Sequence, residues 1–289
     1  MCGICGIVLA DRNAQVSPEL IDRMGDSIAH RGPDDSGAYL NGRVGFGFRR
    51  LAIIDLAGGH QPMANEDESV WIVYNGEIYN HAEQRPGLEA KGHAFRTRCD
   101  TEVIVHQYEE LGAACAAQMR GMFGFAIWDN KKQRLVLARD HSGIKPVFYA
   151  TTPAGDIVFG SEIKAILASG MIDAELDESA IAEYFAMGSV NGDRTLYRGI
   201  KKLIPGHTLT WQNGKIQIER YWSLPEYTDA TAINLDLRAA ADEYWARYVE
   251  SVRIMLMSDV PLGVFLSGGL DSSLLVAAMR ELGPVGGQE

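Results

Sequence analysis

The sequence predicts an α+β fold in which stacked sheets are flanked by helices, followed by a smaller region that opens with a strand, a loop and a helix. The first two hundred residues contain many short apolar runs separated by turn signals such as Asn41-Gly42 and Asn213-Gly214. Few helical patterns lie between them, which indicates sheets that pack on each other and on helices. Further along, an apolar run enters the loop Ser267-Gly268-Gly269 and a helical pattern. With 289 residues and 46% hydrophobic content, the chain can bury a substantial core.

Strands are predicted where apolar runs are bounded by turn residues. They cover residues 3–10, a pair around Asn41-Gly42, 69–74, 124–128 with 135–139, 147–150 with 156–159, and 208–211 with 215–218. Residues 260–266 are predicted to form a fully buried strand, because every residue there except Pro261 and Gly263 is apolar.

Helices are predicted from capping residues and helical periodicity. One opens at Ser17-Pro18, which suit its cap and first position. A second covers residues 100–111, between the cap Asp100 and the stop signal Gly112. Further helices are predicted over residues 161–169, 179–187, 235–257 and 274–282. Residues 223–234, which contain Pro225 and little periodicity, are predicted to form a linker.

Composition excludes several classes of protein. The net charge of -11 and the absence of a run of Lys or Arg argue against a nucleic-acid or anionic-membrane partner. No segment approaches the roughly 18 apolar residues of a membrane span, so a cytoplasmic protein is expected. Four cysteines in a chain of this length do not suggest a disulfide scaffold. Because Cys2 and Cys5 have opposite parity in the first strand, they face opposite sides, and no metal site is predicted.

Cys2 directly follows Met1, so removal of one residue would leave a thiol and a free α-amine on the same residue. The pKa of such an amine is about 7.7–8.0 and that of the thiol about 8.5, so the amine can accept the thiol proton near neutral pH. A nucleophile of this kind cleaves amides without a distant histidine. The alternative at this point is a small apolar residue buried in the first strand.

The loop from Ser267 to Ser273 has the composition of a phosphate-binding site. Glycines after a strand let backbone amides approach a phosphate, while serine hydroxyls and the next helix N-terminus supply further donors. No lysine follows the glycines, so this is not the G-x-x-x-x-G-K-[ST] loop. Its heptapeptide resembles the pyrophosphate loop of enzymes that adenylate a substrate with ATP.

The two ends of the chain, taken together, resemble glutamine-hydrolysing asparagine synthetases. The motifs that carry the resemblance run from Cys2 through the chain in family order: His30-Arg31-Gly32-Pro33-Asp34-Asp35, Arg50-Leu51-Ala52-Ile53-Ile54-Asp55, Tyr74-Asn75-Gly76-Glu77-Ile78-Tyr79-Asn80, Asp100-Thr101-Glu102, Gly121-Met122-Phe123-Gly124-Phe125-Ala126, Gly143-Ile144-Lys145-Pro146, Pro205-Gly206-His207 and the loop at 267–273. The resemblance implies a four-layer α/β/β/α N-terminal-nucleophile glutaminase domain at 1–222, a linker at 223–234, and the opening strand, loop and helix of an α/β ATP-pyrophosphatase domain at 235–289.

The resemblance also implies roles for single residues. Cys2 would attack the side-chain amide of glutamine, with Asn75 and the Gly76 amide holding the oxyanion. Arg50 would bind the substrate's α-carboxylate, Glu77 and Asp100 its α-ammonium group, and Leu51, Ile53 and Ile54 would line the site. The residues implied for ATP are Leu266, Ser267, Gly268, Gly269, Asp271 and Ser272. Considered singly, Asn75-Gly76 is more typical of a turn, Asp100 of a helix cap and Arg50 of a surface charge.

The same resemblance implies ATP and Mg²⁺ as cofactors, glutamine, ATP and aspartate as substrates, and a homodimer as one oligomeric state. Family members continue for several further strands and helices, so we expect an incomplete ATP site and glutaminase activity at most. Cys99, Ser142 and Pro86 differ from the residues usual in the family at these positions. They lie outside the motif residues, so altered local packing is expected there and not lost chemistry. Three alternatives stay open: a binding or regulatory subunit, another amidotransferase, and a related pyrophosphate-loop synthetase.

Overall fold

A computed structural model describes residues 1–226 and 235–283. The chain divides into two compact units, the first formed by Met1–Ala52 and Ala57–Ser223 and the second by Ile53–Leu56 and Leu224–Glu289. The predicted linker lies outside the described residues from position 227 to 234, and the domain boundaries inferred from the sequence stay a prediction.

The first unit contains twelve strands and five α-helices among its described residues. The strands are β1 (Gly3–Val8), β2 (Asp35–Asn41), β3 (Val44–Arg50), β4 (Met63–Ala64), β5 (Val70–Ile78), β6 (Gly121–Asp129), β7 (Arg134–Arg139), β8 (Phe148–Thr151), β9 (Ile157–Gly160), β10 (Ile200–Lys202), β11 (His207–Gln212) and β12 (Lys215–Arg220). The helices are α1 (Pro18–Ser27), α2 (His81–Glu89), α3 (Asp100–Leu111), α4 (Ile163–Ala168) and α5 (Glu178–Met187).

The strands form two antiparallel sheets of six strands each. The first sheet has the order β10-β8-β9-β1-β3-β2 and the second the order β12-β11-β7-β6-β5-β4. One apolar core lies between the sheets and includes Ile4 and Phe46 from the first and Val73 and Trp211 from the second. Side chains alternate along a strand, so the neighbouring positions face the helices instead.

Helices cover the outer face of each sheet. Ile21 and Met24 of α1 pack with Cys5, Ile7 and α4 against the first sheet, as the apolar periodicity after Ser17 predicts. Residues of α3, among them Ile104 and Tyr108, pack against the outer face of the second sheet. This arrangement confirms the predicted four-layer α/β/β/α fold. Helix α2 continues through Pro86 to Glu89, so the proline does not end it.

The second unit consists of α6 (Leu237–Met255) and α7 (Leu270–Leu282) among its described residues. Val252, Leu256 and Ala278 form its small apolar cluster. The prediction of a buried strand at 260–266 is wrong: the segment is unpaired and exposed, with Phe265 98% exposed. A strand requires a hydrogen-bonded neighbour, and none of the described residues pairs with this segment.

None of the helices in the described ranges is both long enough and apolar enough to cross a membrane.

Candidate active site

Three strands of the first unit direct polar residues to the space between the two sheets. Ile4 in β1, Phe48 in β3 and Val73 in β5 face the inner core, so residues of the same parity share that side. These positions are occupied by Cys2 before β1, Arg50 at the end of β3, and Asn75 and Glu77 in β5. Gly3 pairs with Arg49, which brings Cys2 and Arg50 to the same end of the first sheet.

The backbone of Leu51 holds the thiol of Cys2. The Leu51 amide donates to Cys2 Sγ at 3.4 Å, and Sγ lies 3.5 Å from the Leu51 carbonyl oxygen. The carbonyl of Cys2 accepts a hydrogen bond from Arg31 Nε at 2.9 Å, and Arg31 Nη1 forms an ion pair with Glu162 at 2.9 Å. Arg31 therefore positions the backbone of Cys2. The sequence contains it within the motif His30-Arg31-Gly32, but no role for it was predicted, because its partners lie 29 and 131 residues away.

Burial raises the pKa of the Cys2 thiol, while the Leu51 amide, the α-amine of the chain, Arg50 and Lys145 oppose that shift. Burial also raises the pKa of Cys5, Cys99 and Cys115 to about 12, and all four cysteines are free thiols. Cys5 packs among the residues beneath α1, whereas Cys2 contacts the core between the sheets. The opposite placement predicted for these two cysteines is therefore observed.

Asn75 and Gly76 lie within β5 and do not form a turn. They pair with Gly124 and Phe123 of β6. The Asn75 side chain is 2% exposed, and its Nδ2 has no hydrogen-bond partner among the described residues. Gly76 is required by space, since a Cβ there would lie 2.2 Å from the Met122 carbonyl oxygen. A buried amide donor without an acceptor is costly to leave unpaired, and it suits an anion that develops during a reaction.

Lys145 is a buried cation of the same region. It is 6% exposed. Its Cβ lies 3.7 Å from the position that a Cβ on Gly124 would occupy, and Gly124 is the β6 residue that pairs with Asn75. Burial lowers the pKa of Lys145, while Glu77 and Cys2 raise it. The carboxylate of Asp140 holds the loop between Asp140 and Lys145. It accepts hydrogen bonds from four backbone amides, those of Phe123, Ser142, Ile144 and Lys145. The sequence shows Lys145 only as part of a motif, and its role was missed.

Two carboxylates lie near the end of β5. Burial raises the pKa of Glu77 to about 6, with Lys145 opposing the shift and Asp100 reinforcing it. Asp100 is not a helix cap: it is the first residue of α3, and its Oδ2 accepts hydrogen bonds from Tyr74 Oη at 2.8 Å and from the Ile78 amide at 2.9 Å. The second oxygen of Asp100, Oδ1, accepts a hydrogen bond from the Cys99 thiol at 3.4 Å. A carboxylate oxygen has a further lone pair, so Glu77 and Asp100 together can still receive a cation.

The remaining residues predicted for this site divide into two groups. Arg50 is 6% exposed, so it is not the surface charge that its sequence context suggested. Leu51 contacts Cys2 directly. Ile53 and Ile54 belong to the second unit, and their place in the site stays a prediction. The first unit thus assembles a thiol, a buried amide donor, two cations and two carboxylates.

The loop predicted to bind ATP lies in the second unit, directly before α7. Gly268 adopts a left-handed φ of +80°, and Gly269 is the N-cap. Ser267 Oγ lies 3.0 Å from Ser272 Oγ and accepts a hydrogen bond from the Gly269 amide at 3.3 Å. Helix α7 begins at Leu270, four residues earlier than predicted, so Asp271 and Ser272 lie in its first turn. Hydroxyls, backbone amides and a helix N-terminus are the donor set of a phosphate site.

Sequence comparisons identify two domains. Residues 1–222 match the glutamine amidotransferase domain, and residues 246–286 match asparagine synthase. The glutamine-hydrolysing asparagine synthetases 3 and 1 of Bacillus subtilis are each 40% identical over 96% and 98% of this chain, which covers 45% and 44% of their lengths. The chain thus spans about half the length of these curated relatives.

A solved structure supports the fold. Glutamine phosphoribosylpyrophosphate amidotransferase from B. subtilis superposes with a TM-score of 0.57 at 19% identity, over 78% of this chain and 50% of that one. At this identity the likeness concerns the fold alone. The match over residues 1–222, which is most of the chain, identifies the family: the chain belongs to the glutamine amidotransferases.

Proposed function

We propose that this chain hydrolyses glutamine to glutamate and ammonia through a thioester on Cys2. The observation that carries the proposal is a pair of groups on one inner face: a thiol held by the Leu51 backbone, and a buried Asn75 amide donor that has no partner within residues 1–226 and 235–283. After removal of Met1, the α-amine of Cys2 accepts the thiol proton, and the sulfur attacks the amide carbon of glutamine. Asn75 Nδ2 and the Gly76 amide stabilise the resulting oxyanion.

The protonated α-amine of Cys2 then donates its proton to the leaving nitrogen, and ammonia departs as the thioester forms. Water adds to the thioester carbon, and the carbon–sulfur bond breaks to release glutamate and regenerate the thiol. Each step uses a group that the first unit supplies, and no distant histidine is needed.

Substrate binding is proposed to use the charged groups around this centre. Arg50 binds the α-carboxylate of glutamine, since a guanidinium pairs with a carboxylate through two parallel hydrogen bonds. The carboxylates of Glu77 and Asp100 bind the α-ammonium group. Leu51 lies against the thiol, and a role for Ile53 and Ile54 in glutamine binding belongs to the same proposal.

The similar proteins of Bacillus subtilis are named glutamine-hydrolysing asparagine synthetases, which suggests a wider activity. We propose that in the whole protein the ammonia amidates aspartate to asparagine, and that Leu266, Ser267, Gly268, Gly269, Asp271 and Ser272 hold the phosphates of ATP. When bound, ATP with Mg²⁺ activates the acceptor carboxylate. A cytoplasmic location and a homodimer belong to the same proposal.

The experiment is a glutamate-release assay on protein whose N-terminus has been shown by mass spectrometry to be Cys2. We expect glutamate release, covalent labelling of Cys2 by a glutamine-like electrophile, and loss of both in Cys2→Ala at an unchanged melting temperature. Protein that retains Met1 should be inactive, because its α-amine is not on Cys2. Absence of both glutamate and adduct in the processed protein would favour a binding or regulatory subunit.

A further inference from the structure

A cluster of two histidines and two glutamates lies in the first unit, on the α3 side of the second sheet. Glu66 follows β4, His93 lies between α2 and α3, and His106 and Glu109 are one helical turn apart on α3. One ligand atom from each of these four residues lies within 4.8 Å of all the others. No role in glutamine hydrolysis is proposed for any of them.

The atoms that face one another are identified by their distances. His106 Nδ1 lies 2.8 Å from Glu109 Oε2 and 3.9 Å from Glu66 Oε2, while His93 Nδ1 lies 3.4 Å from the same oxygen of Glu109. Bonds of about 2.0–2.1 Å in a tetrahedral zinc site separate neighbouring ligand atoms by about 3.3–3.5 Å. Small side-chain adjustments therefore bring the four atoms to the spacing that one metal ion requires.

Most of the atoms that turn away from the cluster already have partners. Glu66 Oε1 accepts from the Ala94 amide at 2.7 Å, and Glu109 Oε1 accepts from Asn65 Nδ2 at 2.7 Å. His93 Nε2 lies 3.1 Å from Glu110 Oε1. A carboxylate on the second nitrogen of a histidine fixes the tautomer in which the first nitrogen is free to coordinate a metal. The surroundings thus orient three of the four ligands.

The charge balance of the cluster also favours a cation. His106 is 1% exposed, and its ring lies 4.7 Å from that of His93, so two protonated imidazoles at this distance would repel each other. Glu66 and Glu109 are partly exposed, and their carboxylates add two negative charges beside the two imidazoles. One divalent ion neutralises both carboxylates and occupies both Nδ1 lone pairs.

We propose that Glu66, His93, His106 and Glu109 bind one divalent transition-metal ion of the zinc class. Two imidazole nitrogens with two carboxylates suit such an ion, whereas Mg²⁺ and Ca²⁺ take oxygen ligands. The ion joins the segment after β4 and the segment before α3 to the face of α3. Its role is structural, because the ligands come from three separate parts of the chain and none contacts Cys2 in the interactions described above.

The test is metal binding by the full, tag-free chain. After removal of metal with a chelator and dialysis against zinc, we expect about one ion per chain by elemental analysis, an increase of several degrees in melting temperature, and the visible absorption of tetrahedral cobalt on exchange with Co²⁺. Glu66→Gln and His93→Gln, at partly exposed positions, should each lower zinc affinity by more than about 10-fold. Glu66→Gln retains an oxygen for the Ala94 amide, so the local fold should persist.

The matched control is His60→Gln. His60 is exposed and pairs with Asp35 at 2.7 Å, outside the cluster, so this variant should bind zinc as the unmodified chain does. Less than about 0.1 ion per chain would overturn the proposal. It would also be overturned by zinc binding that the double variant Glu66→Gln/His93→Gln leaves unchanged, since the ion would then lie elsewhere.

Discussion

Two apolar segments of this chain, β1 and residues 260–266, give the same sequence signal but have different structures. Strand β1 is hydrogen-bonded on both sides, to β3 and β9, and all six of its residues are buried. Residues 260–266 pair with none of the described residues, and Phe265 is 98% exposed. The comparison teaches that an apolar run indicates the capacity to form a strand, whereas its neighbours decide whether one forms.

The two candidate sites also differ in burial and in the number of distant partners that hold them. Around Cys2, the polar groups are buried or half-buried, and the segments that carry them are held by backbone amides, by β-pairing and by long-range ion pairs. In the loop before α7, the serine hydroxyls are exposed and hydrogen-bond to each other and to the Gly269 carbonyl oxygen. Preorganised donors stabilise charge most effectively when water is excluded, which favours the first site as the catalytic one.

The largest effect is expected from Asn75→Ala. This variant removes the buried amide donor proposed for the oxyanion, so kcat for glutamate release should fall by about 10²–10³-fold, or about 2.7–4 kcal/mol of transition-state stabilisation. Steady-state kinetics of glutamate release measure the change. Because Nδ2 has no hydrogen-bond partner among the residues that the structure describes, the melting temperature should not fall.

The matched control for this variant is Asn191→Ala, an exposed asparagine whose side chain forms none of the described hydrogen bonds. It should leave both quantities unchanged. A fall in kcat of less than about 3-fold in Asn75→Ala would remove Asn75 from the mechanism.

Sequence predicted much of this site because its residues follow strand parity and family motifs. Cys2, Arg50, Asn75 and Glu77 are all explained in this way, and so is the core that surrounds them. What the sequence failed to predict depended on distant partners: Asn75-Gly76 is a strand because β6 pairs with it. In the same way, Asp100 accepts hydrogen bonds from β5 and does not cap its own helix.

Arg31 and Lys145 were missed for the same physical reason. Nothing local distinguishes a basic residue that becomes buried from one that stays on the surface, because burial is decided by elements far away in sequence. The cluster of Glu66, His93, His106 and Glu109 has no motif spacing, since its members come from three segments, and only the folded chain brings them together.

A smaller effect is expected from Lys145→Met. The ammonium group favours the ionised forms of Cys2 and Glu77, so its loss should raise the pKa of both groups. We expect kcat/KM for glutamine to fall by about 10-fold, with the acidic limb of its pH profile moved to higher pH. Lys145→Arg should retain the position of that limb.

The surface control Lys201→Met removes an exposed lysine that pairs with Asp193, and it should leave the pH profile unchanged. If Lys145→Met lowers activity without moving the acidic limb, the role of Lys145 is packing rather than electrostatics.

Glu77→Gln should change stability and substrate binding in opposite directions. The folded-state pKa of Glu77, about 6, lies above its ordinary value of 4.5, so ionising this carboxyl costs stability. The cost is absent below pH 4.5, grows between pH 4.5 and 6, and is complete above pH 6. At pH 8 the variant should therefore be more stable by about 1 kcal/mol after allowance for solvent screening of this half-buried group, and at pH 4 the two proteins should be equal.

Chemical denaturation at the two pH values measures this difference. Glutamine kinetics at pH 8 should show a higher KM, because the charge proposed to bind the α-ammonium group is lost. A variant that is less stable at pH 8 would mean that Glu77 is well paired in the free protein.

The smallest effect on glutamate release is expected from Ser267→Ala, and this variant tests the division between the two sites most directly. Ser267 Oγ accepts a hydrogen bond from the Gly269 amide and contacts Ser272, both within the exposed loop, so its loss should cost only a few tenths of a kcal/mol. If glutamine hydrolysis belongs to the first unit alone, kcat/KM for glutamate release should stay within about 2-fold of the unmodified value. A decrease of 10-fold or more would require that the loop before α7 influences Cys2, and the two sites would then have to be treated as one coupled system.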